Sequence, residues 1–206
     1  MSQRRHRALL WVAAPHAEAM ARAHALWQAR AWQAPLWLGP VSGSVSEPGH
    51  GLSGVAPLPA GKARTQLGGE HDLVVFDAVS PQAGFDPDAF GAISGTLRAG
   101  GLLVLLTPDA WLADTPAPDA DYARLAAWPH TSAALSAGYL ARLARRLYAA
   151  PQVLRWGKDD ALAVPAWLRP AYGEQSRPVR ETPRPEDSDC LTPDQAQAVA
   201  RLIRLR

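Results

Sequence analysis

The chain has 206 residues, 48% of them apolar, enough for one α/β domain of about 150–180 residues plus an appendage. That apolar fraction, though inflated by alanine, excludes a wholly disordered chain. Formal net charge is only +2, and the single cysteine, Cys190, excludes an internal disulfide and a cysteine-based zinc site while fitting a reducing cytoplasm.

In chain order, three arginines precede the apolar run Ala8–Ala14, which Pro15, His16 and Glu18 interrupt. The run is too short for a signal peptide or a membrane span, so Ala8–Ala13 reads as a buried first strand and no membrane partner is expected. Ala17–Trp32 follows as an alanine-rich helix with Met20, Ala23, Leu26 and Trp27 along an apolar stripe. Pro35–Leu38 is a short second strand. Gly39–Gly69 is a long Gly/Pro/Ser-rich loop, with a turn of helix over Ala63–Leu67.

His71–Pro108 is the most informative stretch. Leu73–Phe76 is an apolar run ending at Asp77, as a strand buried on both faces requires. Asp86 caps a helix with Pro87 at its first position, where a missing N–H costs nothing. Phe90, Ile93 and Leu97 share a helical face, Gly100-Gly101 stops the helix, and Leu102–Leu106 is a second buried strand. This is a right-handed βαβ crossover.

Asp109–Pro129 is irregular. Thr131 or Ser132 caps a helix running to about Ala149, with Leu135, Tyr139, Leu143 and Leu147 inward. Strand segments are expected around Val153-Leu154 and Leu162–Val164. Arg169–Asp189 reads as a linker and Pro193–Leu205 as a final helix. The alternation predicts an α/β fold, a parallel sheet flanked by helices, Rossmann-like or RecA-like.

That architecture hosts many functions, so the motifs must choose. No G-x-x-x-x-G-K-[ST] occurs: Gly61-Lys62 is followed by Ala63, and Gly157-Lys158 by Asp159. The fold is thus expected without a phosphate loop. LVVFD (Leu73–Asp77) has the form of a strand whose terminal Asp holds Mg²⁺, but loop anchoring is the favoured reading. The first turn, Ala-Ala-Pro-His, lacks the glycines of a dinucleotide or S-adenosylmethionine pocket. The histidines and Ser94 form no catalytic set, and metal-ligand spacing is absent, so no catalytic residue, metal or cofactor is assigned to this chain.

Charge is uneven: residues 1–128 hold 9 Lys/Arg against 11 Asp/Glu, and residues 129–206 hold 12 against 8. Arg142, Arg145 and Arg146 lie at i, i+3 and i+4 of one helix, the arrangement of a phosphate-contacting patch or of a solvated face. Most tryptophans sit in or beside apolar runs, as Trp11, Trp27 and Trp37 do, so packing is their expected role.

The pattern VFDA…GFDPDAFGAISGTLRAGGLLVLLTP resembles the N-terminal domain of bacterial tRNA(Met) cytidine acetyltransferases, the TmcA family, closely over Asp72–Pro108 and loosely elsewhere. There a strand ending in FDA precedes a GFD-initiated helix and a hydrophobic strand. The resemblance implies a non-catalytic domain whose parent enzyme continues with a helicase-like ATPase module and an acetyl-CoA-binding module, neither of which 206 residues can hold. The parent reaction moves an acetyl group from acetyl-CoA to N4 of the wobble cytidine of elongator tRNA(Met), with ATP or GTP hydrolysis. LTPDQ (Leu191–Gln195) is similar to the family segment in which a glutamine reaches adenine, which implies that Gln195 is an ATP contact in the full-length parent.

The expected layout is an α/β domain over 1–168, a linker over 169–190, and over 191–206 the first helix of a truncated ATPase module. The expected role is cytoplasmic scaffolding of the ATPase module with help in holding tRNA, and the chain by itself is expected to be inactive. A stand-alone S-adenosylmethionine-dependent methyltransferase-like protein and a protein–protein adaptor are the alternatives.

Overall fold

The computed structural model describes residues 7–40, 56–113 and 116–164. Its elements are β1 (Ala8–Ala13), α1 (His16–Gln28), β2 (Pro35–Leu38), β3 (His71–Asp77), α2 (Pro87–Ser94), β4 (Leu97–Thr107), α3 (Gly138–Ala149) and β5 (Val153–Arg155). Short 3-10 turns lie at Ala60–Gln66, Asp109–Leu112, Ala120–Arg124 and Ser132–Ala134. All five strands are parallel, in the order β2-β3-β4-β1-β5. The fold is therefore α/β, as the alternation of elements predicts.

The strands are apolar at nearly every position because both sheet faces are covered. On one face Leu10, Val12, Trp37, Leu73, Val75, Leu102, Val104 and Leu106 pack under α1, which supplies Ala19, Met20, Ala23 and Leu26. On the other, Trp11, Leu38, Val74, Phe76, Leu103 and Leu105 meet Ala89 and Ile93 of α2 and Leu140, Ala144 and Leu147 of α3. The chain crosses from β1 to β2 beneath α1 and returns toward β5 on the opposite face, as a single handedness of crossover demands. Asp72, 2% exposed, fixes the start of β2 by accepting from the Gln33 and Ala34 amides at 2.7 and 2.9 Å and from Arg98 at 3.2 Å.

Boundaries differ from the sequence expectation where a side chain or glycine decides them. α1 stops at Gln28, not Trp32, because the Trp32 indole folds back and donates to the Leu26 carbonyl at 3.1 Å. α2 begins as expected, with the Asp86 carboxylate accepting from the Asp88 and Ala89 amides. It ends at Ser94, and Leu97 opens β4. Gly100 has φ +79 inside β4, where the register passes from His71↔Leu97 to Leu73↔Leu102, so the glycine pair makes an irregularity in a strand and does not end a helix.

α3 starts at Gly138, because Ser132–Ala134 makes only a 3-10 turn and Leu135 then becomes extended. Its inward row is Leu140, Ala144 and Leu147, with Leu143 partly buried and Tyr139 51% exposed. Leu162–Val164 forms no strand. The expected linker, final helix and Gln195 lie outside the described residues.

Candidate functional site

The carboxyl edge of a parallel sheet is where such folds bind ligands, at the crevice between neighbouring strands whose chains leave toward opposite faces. Here those strands are β1, leading to α1, and β4, leading to the turn that buries Trp111 in the other core. At that edge the two strands stay joined to their ends. The Ala14 amide donates to the Thr107 carbonyl at 3.1 Å, and the Trp11 indole donates to Thr107 Oγ1 at 2.9 Å.

Asp77, which ends β3, is 3% exposed and committed to its own loop. Its Oδ1 accepts from the Val79 and Ser80 amides at 3.0 and 2.9 Å, and Oδ2 accepts from the Ser80 hydroxyl at 2.6 Å. The loop-anchoring reading of LVVFD is what these bonds describe. His16 Nε2 lies 3.3 Å from Ser80 Oγ, linking the start of α1 to the β3 loop. The carboxylate bonds to the serine and not to the histidine, so this is not the order of a hydrolytic triad. Gly39 packs so closely that a Cβ there would meet Trp37 Nε1 at 2.9 Å and Asp77 Oδ2 at 3.3 Å.

The second feature is an electrostatic one. From Tyr122 through Lys158 the sequence has no Asp or Glu, yet it carries Arg124, Arg142, Arg145, Arg146, Arg155 and Lys158. Arg124 pairs with Asp121 and Asp86, and Lys158 with Asp109. Arg142, Arg145 and Arg146 are exposed on the side of α3 opposite Leu140, Ala144 and Leu147, with no carboxylate partner among the described residues. The structure thus brings the three sequence-identified arginines together on one open ridge. Arg155 lies over the Tyr148 ring, 4.6 Å from its centroid.

A neutral apolar surface adjoins this ridge in the chain. Between Arg124 and Arg142 no residue is charged, and Leu125, Trp128 and Tyr139 are 53%, 94% and 51% exposed. Among the described residues Trp11, Trp37, Trp111 and Trp156 are buried and Trp27 and Trp32 pack half-buried against the core, whereas Trp128 is exposed. This stretch is fastened at its start. The Asp119 carboxylate accepts from the Phe85 and Asp121 amides at 2.7 and 3.1 Å. Burial raises its pKa despite those bonds, and burial together with nearby Asp119 raises that of Tyr122.

Sequence reasoning missed a further group, Arg22. It is 3% exposed and donates through one nitrogen to the carbonyls of Gly157, Lys158 and Asp160 at 3.0–3.1 Å. Its signal was present, since an arginine interrupts the apolar stripe of α1 between Ala19 and Leu26.

These features define a parallel α/β domain without a glycine cradle after its first strand, exposing a cationic helix face and the apolar side chains Leu125, Trp128 and Tyr139. The family model described as "tRNA(Met) cytidine acetyltransferase TmcA, N-terminal" matches residues 1–158. The chain belongs to that family. It is 39% identical over 149 residues to the tRNA(Met) cytidine acetyltransferase TmcA of Nitrosococcus halophilus, covering 72% of this chain and 19% of the relative. It is 36% identical over 131 residues to that of Pectobacterium atrosepticum, covering 61% and 18%. The Haloferax volcanii relative is 33% identical over 153 residues, covering 70% and 20%. The chain thus spans about a fifth of the length of the curated relatives it matches. Among the described residues no helix is long and apolar enough to cross a membrane.

Proposed function

We propose that this domain serves a tRNA(Met) cytidine acetyltransferase as a non-catalytic N-terminal unit, contributing tRNA phosphate contacts through the exposed face of α3. One observation carries the reading: Arg142, Arg145 and Arg146 stand unpaired in a stretch of 37 residues without a carboxylate. Guanidinium groups held on a rigid helix with no internal anion suit the phosphate backbone, which draws its affinity from such contacts. On this reading the acetyl transfer, with acetyl-CoA and ATP or GTP as cofactors, belongs to modules downstream, where Gln195 contacts ATP. The enzyme works in the cytoplasm, where its tRNA is.

The scaffolding part of the role falls to Leu125, Trp128 and Tyr139. Interface cores are depleted of charge and enriched in aromatic residues, and this uncharged stretch exposes two aromatic side chains and a leucine. In the relatives the matched stretch is about a fifth of the polypeptide, so the rest of that polypeptide is the occupant we assign to the surface. The S-adenosylmethionine reading is disfavoured, because the turn after β1, Ala13-Ala14-Pro15-His16, has no glycine to form a cofactor cradle.

The test is fluorescence anisotropy of the full chain with a labelled tRNA(Met) transcript across a salt series. Wild type is expected to bind with salt-weakened affinity. Arg142, Arg145 and Arg146 changed together to Ala should reduce the log–log salt slope by roughly 2–3. Binding with an unaltered slope in that variant removes the three arginines from the interface.

A further inference from the structure

Resting on the RNA reading above, we infer that Tyr148 and Arg155 form a base-stacking platform beside the arginine ridge, so that this surface takes unpaired RNA in preference to duplex. Tyr148 lies three residues after Arg145 on α3, at the margin of the cationic face, and keeps 62% of its surface in solvent. Its core-facing neighbour in sequence, Leu147, carries the packing, and the Tyr148 ring belongs to neither hydrophobic core.

Arg155 ends β5 with its guanidinium carbon 4.6 Å from the Tyr148 ring centroid. Its side chain makes no hydrogen bond or ion pair with another described residue, so its guanidinium N–H groups remain available. An aromatic ring backed by a cation, next to three further cations, has both components that single-strand binding uses. A π-face receives a splayed base, and a positive groove follows its phosphates. An A-form duplex offers that ring no base face, because its bases are stacked internally. The stack is tolerant of base identity, since every base has a π-face.

A structural strap between the end of α3 and β5 is the competing role for the pair, and the experiment separates the two. Anisotropy is read on the full chain with a 12-nucleotide single-stranded RNA and a 16-base-pair RNA duplex. Tyr148→Ala is expected to weaken the single strand about tenfold and the duplex less than twofold, with Tyr148→Phe restoring wild-type affinity. Arg155→Ala should weaken both, and the single strand more.

Equal effects of Tyr148→Ala on the two probes, or no effect on either, overturn the platform while leaving the arginine contacts standing. A Tyr148→Ala thermal midpoint well below that of Tyr148→Phe, with unchanged selectivity between probes, assigns the pair to the strap and also overturns it. No binding of either RNA by wild type overturns this inference and the RNA reading together.

Discussion

Replacing Arg22 by Met removes the group that ties the segment after β5 to α1. The two N–H groups of its Nη2 are shared by three carbonyls, so the geometry amounts to about two charge-assisted bonds, each worth about 1.5–3 kcal/mol. Residues 158–160 are exposed, so water replaces part of what their carbonyls lose, which favours the lower bound of about 3 kcal/mol. Wild type also buries the Arg22 Nε without an acceptor, a cost of about 1 kcal/mol that methionine relieves. The Glu18 pair adds little, since that carboxylate is half-exposed. The expected net loss is about 2 kcal/mol.

In urea this loss lowers the midpoint by roughly 1 M at unchanged m-value. Hydrogen exchange gives the local signature: the Trp156 amide, which donates to the Trp11 carbonyl at 3.0 Å, should lose protection before the β3–β4 core does. Arg22→Lys keeps the charge but not the planar fork, and should recover less than half of the loss. A destabilisation under about 0.5 kcal/mol, or unchanged Trp156 protection, would refute the clamp.

Two further outcomes follow from the segment after β4. Burial raises the Asp119 pKa in the folded state above its unfolded value, so folding takes up a proton. The associated stability is present below the unfolded pKa and is lost as pH rises through the folded one; chemical denaturation of Asp119→Asn across mildly acidic pH should show that decline flattened. Trp128, at 94% exposure, contributes almost no burial. Trp128→Ser should leave stability within about 0.5 kcal/mol of wild type while lowering the fraction of tryptophan emission that iodide quenches.

The crossover built from β3, α2 and β4 was legible because each of its signals is local. Asp86 and Pro87 set the helix start with their own atoms, and uninterrupted apolar runs identify strands buried on both faces. β1 and β2 match their expected bounds for the same reason. The ends of elements were less legible, because distant groups or competing local structure set them: Trp32 closes α1, and the Gly100 irregularity reflects register against β3. The row Tyr139–Leu143–Leu147 and the row Leu140–Ala144–Leu147 are both helical repeats. Only packing against the sheet selected the second.

The candidate surface divides in the same way. Spacing alone placed Arg142, Arg145 and Arg146 on one helix face, but whether they had partners depended on where every carboxylate lies in three dimensions. Tyr148 and Arg155 belong to different elements, and no local pattern joins them. By itself, the sequence determined the fold class, the family and the lack of a phosphate loop, since these rest on residue order and hydrophobic period. The tertiary structure alone decided that Trp11 bonds Thr107 across the sheet, that Asp77 is committed to its own loop, that Arg22 is buried and that Trp128 is bare. Burial and pairing are relations between residues far apart in the chain, and only the folded arrangement fixes them.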